Sequence, residues 1–221
     1  MKKLAFALFA VFAGHAYAAP NFVDFSYVAP RTYAISDEEL VARGLPVPAN
    51  FTYVRRVVDG QGEHVLELQR EEKESDSNPG SGRFEFTRLK ATYFTKVGRG
   101  WIKEWTVMDY VDCPDMDVDA DFFYKAITVT DLNRDGVAEV SLPYHLFCGT
   151  GVDAHSVKVI MREGVLKYAV RGEADVVRQR GIRSTFGTRV FDKSLDAANL
   201  VSYKYHLDKV WTAALENRAV N

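Results

Sequence analysis

The chain has 221 residues, 26% of them charged, and a formal net charge of −2 at pH 7. This near-neutral balance gives no electrostatic reason to expect nucleic acid or an anionic membrane surface as a partner. The 11 tyrosines and 14 phenylalanines, with β-branched residues in the central segments, favour β structure.

Residues 1–18 have the pattern of a secretory signal peptide. Two lysines lie near the N-terminus, residues 4–13 are apolar but too few to span a bilayer, and small residues at 16–18 provide a cleavage site. We therefore predict cleavage before Ala19 and no membrane span. Residues 19–221 are expected to form one β-rich domain of a periplasmic or secreted protein.

The next segments predict a strand, a short helix and hairpins in chain order. Residues 22–28 alternate as a strand does, and Ser36 with Glu39 forms a capping-box pattern that predicts a helix ending at Gly44. Each hairpin is predicted from two alternating segments joined by a turn that contains glycine. The paired segments are 51–58 with 63–73, 83–97 with 101–113, and 156–162 with 165–171.

Two tryptophans lie in segment 101–113. Trp101 and Trp105 are both an even number of residues from Cys113, so an ideal strand places them on one face. We expect this face in the core, because aromatic side chains bury large areas. An exposed ladder of tryptophans is the alternative, and such ladders bind sugars.

Two further elements complete the predicted fold. Residues 137–147 predict a strand, and Pro143 indicates an edge or a bulge there, because proline cannot donate to a ladder. A C-terminal helix is predicted from about residue 195 by apolar residues at helical spacing. These are Leu200, Tyr203, Leu207, Trp211 and Leu215.

Residues 131–139, between apolar runs, form an oxygen-rich loop. Oxygen-bearing side chains stand at positions 1, 3, 5 and 9, and Gly136 stands at position 6, where its freedom in φ permits a sharp turn. Six to eight converging oxygens are what a calcium ion requires. The predicted Ca²⁺ ligands are the side chains of Asp131, Asn133, Asp135 and Glu139 and the carbonyl oxygen of Val137.

An EF-hand does not fit this loop. Its twelfth position requires a bidentate Glu but holds Leu142, and the flanking residues predict strands rather than helices. An Asx-rich hairpin turn that binds nothing is the alternative interpretation. Asp115, Asp117 and Asp119 repeat the odd spacing, and they are expected either to remain solvated or to add ligands to this or a second ion.

Cys113 and Cys148 are the two cysteines of the chain. In an oxidising compartment we expect them to pair rather than remain two free thiols. A bond that closes about 35 residues stabilises a fold by roughly 3–4 kcal/mol.

We predict no catalytic residue and no cofactor besides Ca²⁺. The histidines after residue 18 have no metal-ligand spacing, which together with the paired cysteines disfavours zinc, and no G-x-S-x-G motif is present. A glycan-active hydrolase with a carboxylate pair is the alternative function, for which Glu104, Asp109 and Asp112 are the candidates.

The middle of the chain, residues 101–172, resembles exported bacterial proteins of unknown function with a single FG-GAP/VCBS-like calcium loop. The resemblance is carried by Asp112-Cys113, the loop 131–139, Cys148-Gly149 and the segment 167–172. Some of these proteins are labelled as surface-polysaccharide biosynthesis proteins. The resemblance implies an antiparallel β core, a calcium loop and cysteines paired around it.

The predicted fold class is mainly β: an antiparallel meander closing towards a barrel or sandwich, with a short N-terminal helix and a C-terminal helix. The predicted function is that of an exported, calcium- and disulfide-stabilised, non-enzymatic envelope protein. Its expected partner is an envelope glycan or a protein.

Overall fold

The described residues form two main antiparallel β-sheets, a small two-stranded ribbon, one short helix and one long helix. The computed structural model describes residues 29–45, 47, 50–150, 153–174, 176–177, 183–185 and 187–218. The signal peptide, its cleavage site and the strand predicted at 22–28 lie outside these residues.

The first sheet is a meander in which each strand pairs with the next one along the chain. Its strands, in spatial order, are β1 (Arg31–Ala34), β2 (Phe51–Asp59), β3 (Gly62–Lys73), β4 (Phe86–Val97) and β5 (Gly100–Asp112). Helix α1 (Asp37–Ala42) connects β1 to β2. Its predicted capping box is confirmed, because the Ser36 hydroxyl accepts the N–H of Glu39 while the Glu39 carboxylate accepts the N–H of Ser36.

The second sheet contains β6 (Asp117–Phe122), β7 (Thr128–Thr130), β8 (Glu139–Gly149), β9 (Ser156–Glu163), β10 (Leu166–Glu173) and β13 (Arg189–Phe191). Its spatial order is β13-β10-β9-β8-β6, and β7 pairs with the start of β8. A small ribbon joins β11 (Val176–Val177) to β12 (Arg183–Thr185). A short 3₁₀ turn at Tyr124–Ala126 lies between β6 and β7, and two more, at Lys193–Asp196 and Ala198–Leu200, precede helix α2 (Val201–Arg218). The predicted C-terminal helix is therefore present, but it begins at Val201 rather than at about residue 195.

The inner faces of the two sheets enclose the main core, so the fold is a sandwich and not a closed barrel. Strand alternation selects the buried set, because every second side chain points to the same face. It includes Val57, Leu66, Leu68, Leu89 and Tyr93 from the first sheet and Val140, Leu142, Tyr144 and Ile160 from the second.

Helix α2 covers the outer face of the second sheet. Its buried side chains Tyr203, Leu207 and Trp211 contact a cluster that includes Val159 and Met161 of β9. The helical spacing that predicted α2 therefore marks the face that the helix buries. No helix within the described residues is long and apolar enough to cross a membrane.

A β-bulge separates the two tryptophans that the sequence places on one face. Pairing passes from Tyr93–Trp105 to Phe94–Lys103, which leaves Glu104 as the extra residue and reverses the alternation. Trp105 is buried between the sheets. Trp101 instead packs against the cluster that contains Leu40, on the outer face. The prediction of a shared face is therefore wrong, although both rings contact buried apolar residues.

The expectation of an edge or a bulge at Pro143 is also wrong. Strand β8 lies inside the sheet, with β9 on one side and β6 and β7 on the other. Pro143 is tolerated because it faces the gap between the ladders to β7 and β6, where its carbonyl oxygen accepts the N–H of Phe123 at 2.9 Å. Its missing N–H therefore costs no ladder bond.

The predicted disulfide is confirmed. Cys113, which follows β5, is bonded to Cys148 near the end of β8, with their Cα atoms 5.6 Å apart. The bond joins the first sheet to the second at the end of β8 that lies furthest from the loop 131–139.

Candidate metal site at the junction of the two sheets

The loop 131–139 connects β7 to β8 and is shaped by its own side chains. The Asp131 carboxylate accepts the N–H groups of Asp135 (3.1 Å) and Gly136 (3.0 Å). The Asn133 side-chain oxygen accepts the N–H of Asp135 at 3.0 Å, and Asp135 in turn accepts the N–H of Val137 at 2.8 Å. Gly136 has φ +85°, as its place in the sharp turn requires.

Glu139 closes the base of the loop. It is fully buried at the start of β8 and accepts the N–H of Leu132 (2.9 Å), the Thr130 hydroxyl (3.0 Å) and the Tyr203 hydroxyl (3.1 Å). Because Tyr203 belongs to α2, Glu139 connects the loop directly to the C-terminal helix.

Glu163 joins the same cluster, although sequence reasoning did not select it. It ends β9 and is 8% exposed. Its two carboxylate oxygens accept the Asn133 amide (2.9 Å) and the Tyr203 hydroxyl (3.0 Å). The turn Glu163-Gly164 is visible in the sequence, but its proximity to the loop arises from the β8–β9 pairing and carries no local signal.

The hydroxyl of Tyr203 lies between two carboxylates but carries one proton. Its oxygen is 3.1 Å from Glu139 Oε1 and 3.0 Å from Glu163 Oε2, so it can donate to one of them at a time. Two buried carboxylates therefore share one proton and repel each other, and an added proton or a cation would reduce that repulsion.

The pKa values of Glu139 and Glu163 are both raised, which also indicates that their negative charges are unfavourable here. Burial raises the pKa of Glu139, and the nearby charge of Asp131 raises it further. Burial also raises the pKa of Glu163, to which the charges of Glu139 and Asp135 add. These shifts record the cost of placing several carboxylates together in a partly desolvated site.

The loop also contacts the first sheet, at the β2–β3 turn. Gly60 donates its N–H to the carbonyl of Gly136 (2.8 Å), and Ala138 donates its N–H to Asp59 Oδ2 (2.9 Å). The approach requires glycine, because a Cβ on Gly60 would lie 2.8 Å from the Gly136 oxygen. The other oxygen of Asp59 bonds the buried His64 ring at 2.9 Å, which anchors this turn in the first sheet.

The donor set suits a hard cation. The side chains of the loop and of the adjacent Glu163 present carboxylate and amide oxygens, which are the ligands that calcium uses. Asp135 and Glu163 each show one hydrogen bond to each oxygen, whereas a carboxylate has about four lone-pair sites. Both therefore retain capacity for a metal.

The acidic residues Asp115, Asp117 and Asp119, called here the acidic run, do not add ligands to the loop 131–139. Asp117 and Asp119 lie on β6, which pairs with the far half of β8. Asp117 lies 3.5 Å from the Arg83 guanidinium, Asp119 bonds His145, and Asp115 accepts the Asn78 amide at 3.0 Å. The carboxylates of the run are thus distributed among different partners.

The acids considered for a glycan hydrolase have separate surroundings. Asp109 accepts the Tyr144 hydroxyl (2.9 Å) and pairs with Lys158 (2.5 Å) between the sheets. Glu104 accepts the Thr95 hydroxyl, and Asp112 is exposed at the end of β5. Asp109 and Asp112 are three residues apart on one strand and so point to opposite faces.

Comparisons of the chain with protein-family models, with curated proteins and with solved structures gave no significant match.

Proposed function

We propose that this protein is an exported, calcium- and disulfide-stabilised envelope protein that binds a glycan or protein partner and catalyses no reaction. One observation carries the calcium assignment: the buried carboxylates of Glu139 and Glu163 share the hydroxyl of Tyr203 and repel each other beside the loop. A calcium ion held by the adjacent loop supplies positive charge that offsets this repulsion.

The ion has a structural role in this proposal. The loop contacts the first sheet through Gly60, the second sheet through Glu139 and helix α2 through Tyr203. A cation that draws the loop carboxylates together therefore fixes three parts of the molecule at once. Together with the disulfide, it holds the sandwich at both ends of β8.

The export and the partner have separate support. Residues 1–18 carry the signal-peptide pattern, and structural disulfides form in oxidising compartments. The resemblance to FG-GAP/VCBS-like proteins favours the same location. On β5, Met108 and Tyr110 are 59% and 58% exposed, and such apolar surface suits contact with a sugar ring or a protein.

Calcium titration of the chelator-treated protein tests the proposal. Isothermal titration calorimetry should give a dissociation constant of about 1 mM or tighter, the range of extracellular calcium modules. Calcium at 100 times that constant should stabilise the fold by about 2.7 kcal/mol. Asp135→Asn, which removes an exposed loop charge, should weaken binding while leaving the fold intact.

Asp76→Asn is the matched control, because Asp76 is also exposed but pairs with Lys73 in a distant loop. It should bind calcium as the parent does. A parent protein that shows neither heat of binding nor a higher melting temperature in millimolar calcium would contradict the assignment, as would parental affinity in Asp135→Asn.

A further inference from the structure

A second group of potential metal ligands lies on the outer face of the second sheet, far along β8 from the loop. The ligand atoms of Asp119, His145 and His155 all lie within 4.8 Å of one another. His145 is six residues from Glu139 on β8, which corresponds to roughly 20 Å in a strand. The two clusters are therefore separate.

Strand pairing brings the three side chains together. Asp119 of β6 pairs with Phe147 of β8, two residues from His145 and on the same face. The β8–β9 ladder ends at the pair Leu146–Ser156, so His155 follows one step beyond, opposite Phe147. The ten-residue spacing of the two histidines conceals this approach in the sequence, since it is created by the hairpin.

The rings are already held close to a ligating arrangement. His145 Nε2 is 2.9 Å from Asp119 Oδ2, compared with about 3.3 Å between two ligands of a tetrahedral zinc ion with bonds of 2.0–2.1 Å. The centroids of the two imidazoles are 5.1 Å apart. Phe147 stacks on His155 at 4.3 Å, and Phe123 contacts His145 at 5.2 Å, so apolar rings restrict both imidazoles.

The cluster is buried on one side and open on the other. His145 is 9% exposed, and its Nε2 atom faces the Asp119 carboxylate at 2.9 Å. The Asp119 side chain, by contrast, is 51% exposed and leaves the cluster open to an ion from solvent.

We propose that Asp119, His145 and His155 bind a divalent transition metal ion of the zinc class. Two imidazoles and one carboxylate suit zinc and its neighbours and do not suit calcium, which prefers oxygen ligands throughout. The half-exposed side leaves a position for water or for a group from a partner. This site depends neither on the calcium loop nor on the partner proposed above.

Zinc titration of the full chain, produced without a polyhistidine tag and stripped of metal, tests this site. We expect one equivalent of Zn²⁺ to bind with micromolar affinity or better. His155→Gln and Asp119→Asn, which alter partly exposed side chains, should weaken binding tenfold or more. His206→Gln is the control, because His206 bonds Thr128 elsewhere in the fold, and it should bind as the parent does.

Two measurements on the parent protein need no variant. Zinc should shift the imidazole NMR signals of His145 and His155 and leave those of His64 and His206 in place, and a large excess of Ca²⁺ should not displace it. The proposal is overturned if the parent binds no stoichiometric zinc, if both variants retain parental affinity, if the imidazole signals do not move, or if calcium competes.

Discussion

Replacing Cys113 and Cys148 together by alanine is expected to lower the free energy of unfolding by about 3–4 kcal/mol. The bond spans 35 residues of sequence and joins the first sheet to the second, so its loss enlarges the unfolded ensemble and releases one end of the sandwich. Urea unfolding of the parent and the double variant, monitored by circular dichroism, measures the difference.

Reduction of the parent protein provides the matched control. Dithiothreitol should destabilise the parent to about the level of the double variant and should leave the variant itself unchanged. If the variant unfolds at the parental urea concentration, the bond does not stabilise the fold and this part of the account is wrong.

Glu67→Gln is expected to stabilise the protein above neutral pH by up to about 3 kcal/mol. Glu67 of β3 is 2% exposed, and its Oε1 atom has no hydrogen-bond partner within the described part of the chain. Burial raises the pKa of this carboxyl to about 7, although the nearby charge of Lys90 lowers it. The folded protein must therefore either hold a proton on Glu67 or bury an unpaired charge.

The sign of the pH dependence follows from the raised pKa. Below the ordinary pKa of 4.5, Glu67 is protonated in both the folded and the unfolded state, so Glu67→Gln is no more stable than the parent. As the pH rises to about 7, the unfolded chain releases the proton and the folded protein keeps it, so the parent loses stability. Urea unfolding from about pH 4 to pH 8 should show that the difference in the free energy of unfolding between Glu67→Gln and the parent widens and then levels off.

Glu72→Gln on the same strand is the control. The Glu72 side chain is 36% exposed and pairs with Arg70 at the surface, so its replacement should change stability by less than about 1 kcal/mol. A Glu67→Gln variant that is no more stable than the parent at alkaline pH would show that the buried carboxylate is compensated.

Local sequence patterns were sufficient for much of the fold. The capping box at Ser36, the glycine turns of the hairpins and the helical spacing of Tyr203 and Leu207 each depend on residues within a few positions of one another. Local hydrogen bonding and amphipathic burial therefore determine them. The disulfide was predictable for another reason, since the chain contains two cysteines.

The errors arose where an irregularity interrupts a regular pattern. The extra residue Glu104 reverses the alternation between Trp101 and Trp105. A glutamate at that position does not predict a bulge. Pro143 was expected at an edge because its missing N–H is costly in a central strand. Instead, the ladder beside β8 is interrupted between β7 and β6 at Pro143. Proline can therefore lie in this central strand without the loss of a ladder hydrogen bond.

The loop 131–139 could be selected from the sequence, but its surroundings could not. Glu163, Tyr203 and the turn at Gly60 approach it through pairing and packing of elements that are distant in the chain. His145 and His155 could not be selected for the same reason. Their sequence spacing matches no metal motif, and only the pairing of β8 with β9 brings them together. Ligand sets assembled across strands have no linear signature.

Hydrogen–deuterium exchange with calcium and with chelator tests most directly whether the ion joins the two sheets and α2. We expect calcium to slow exchange of the amides of Gly60 and Ala138 and of α2 around Tyr203, together with the loop. The Cys113 amide, bonded to Glu85 at the disulfide end, should not change. Protection confined to residues 131–139, or no protection at all, would contradict the account.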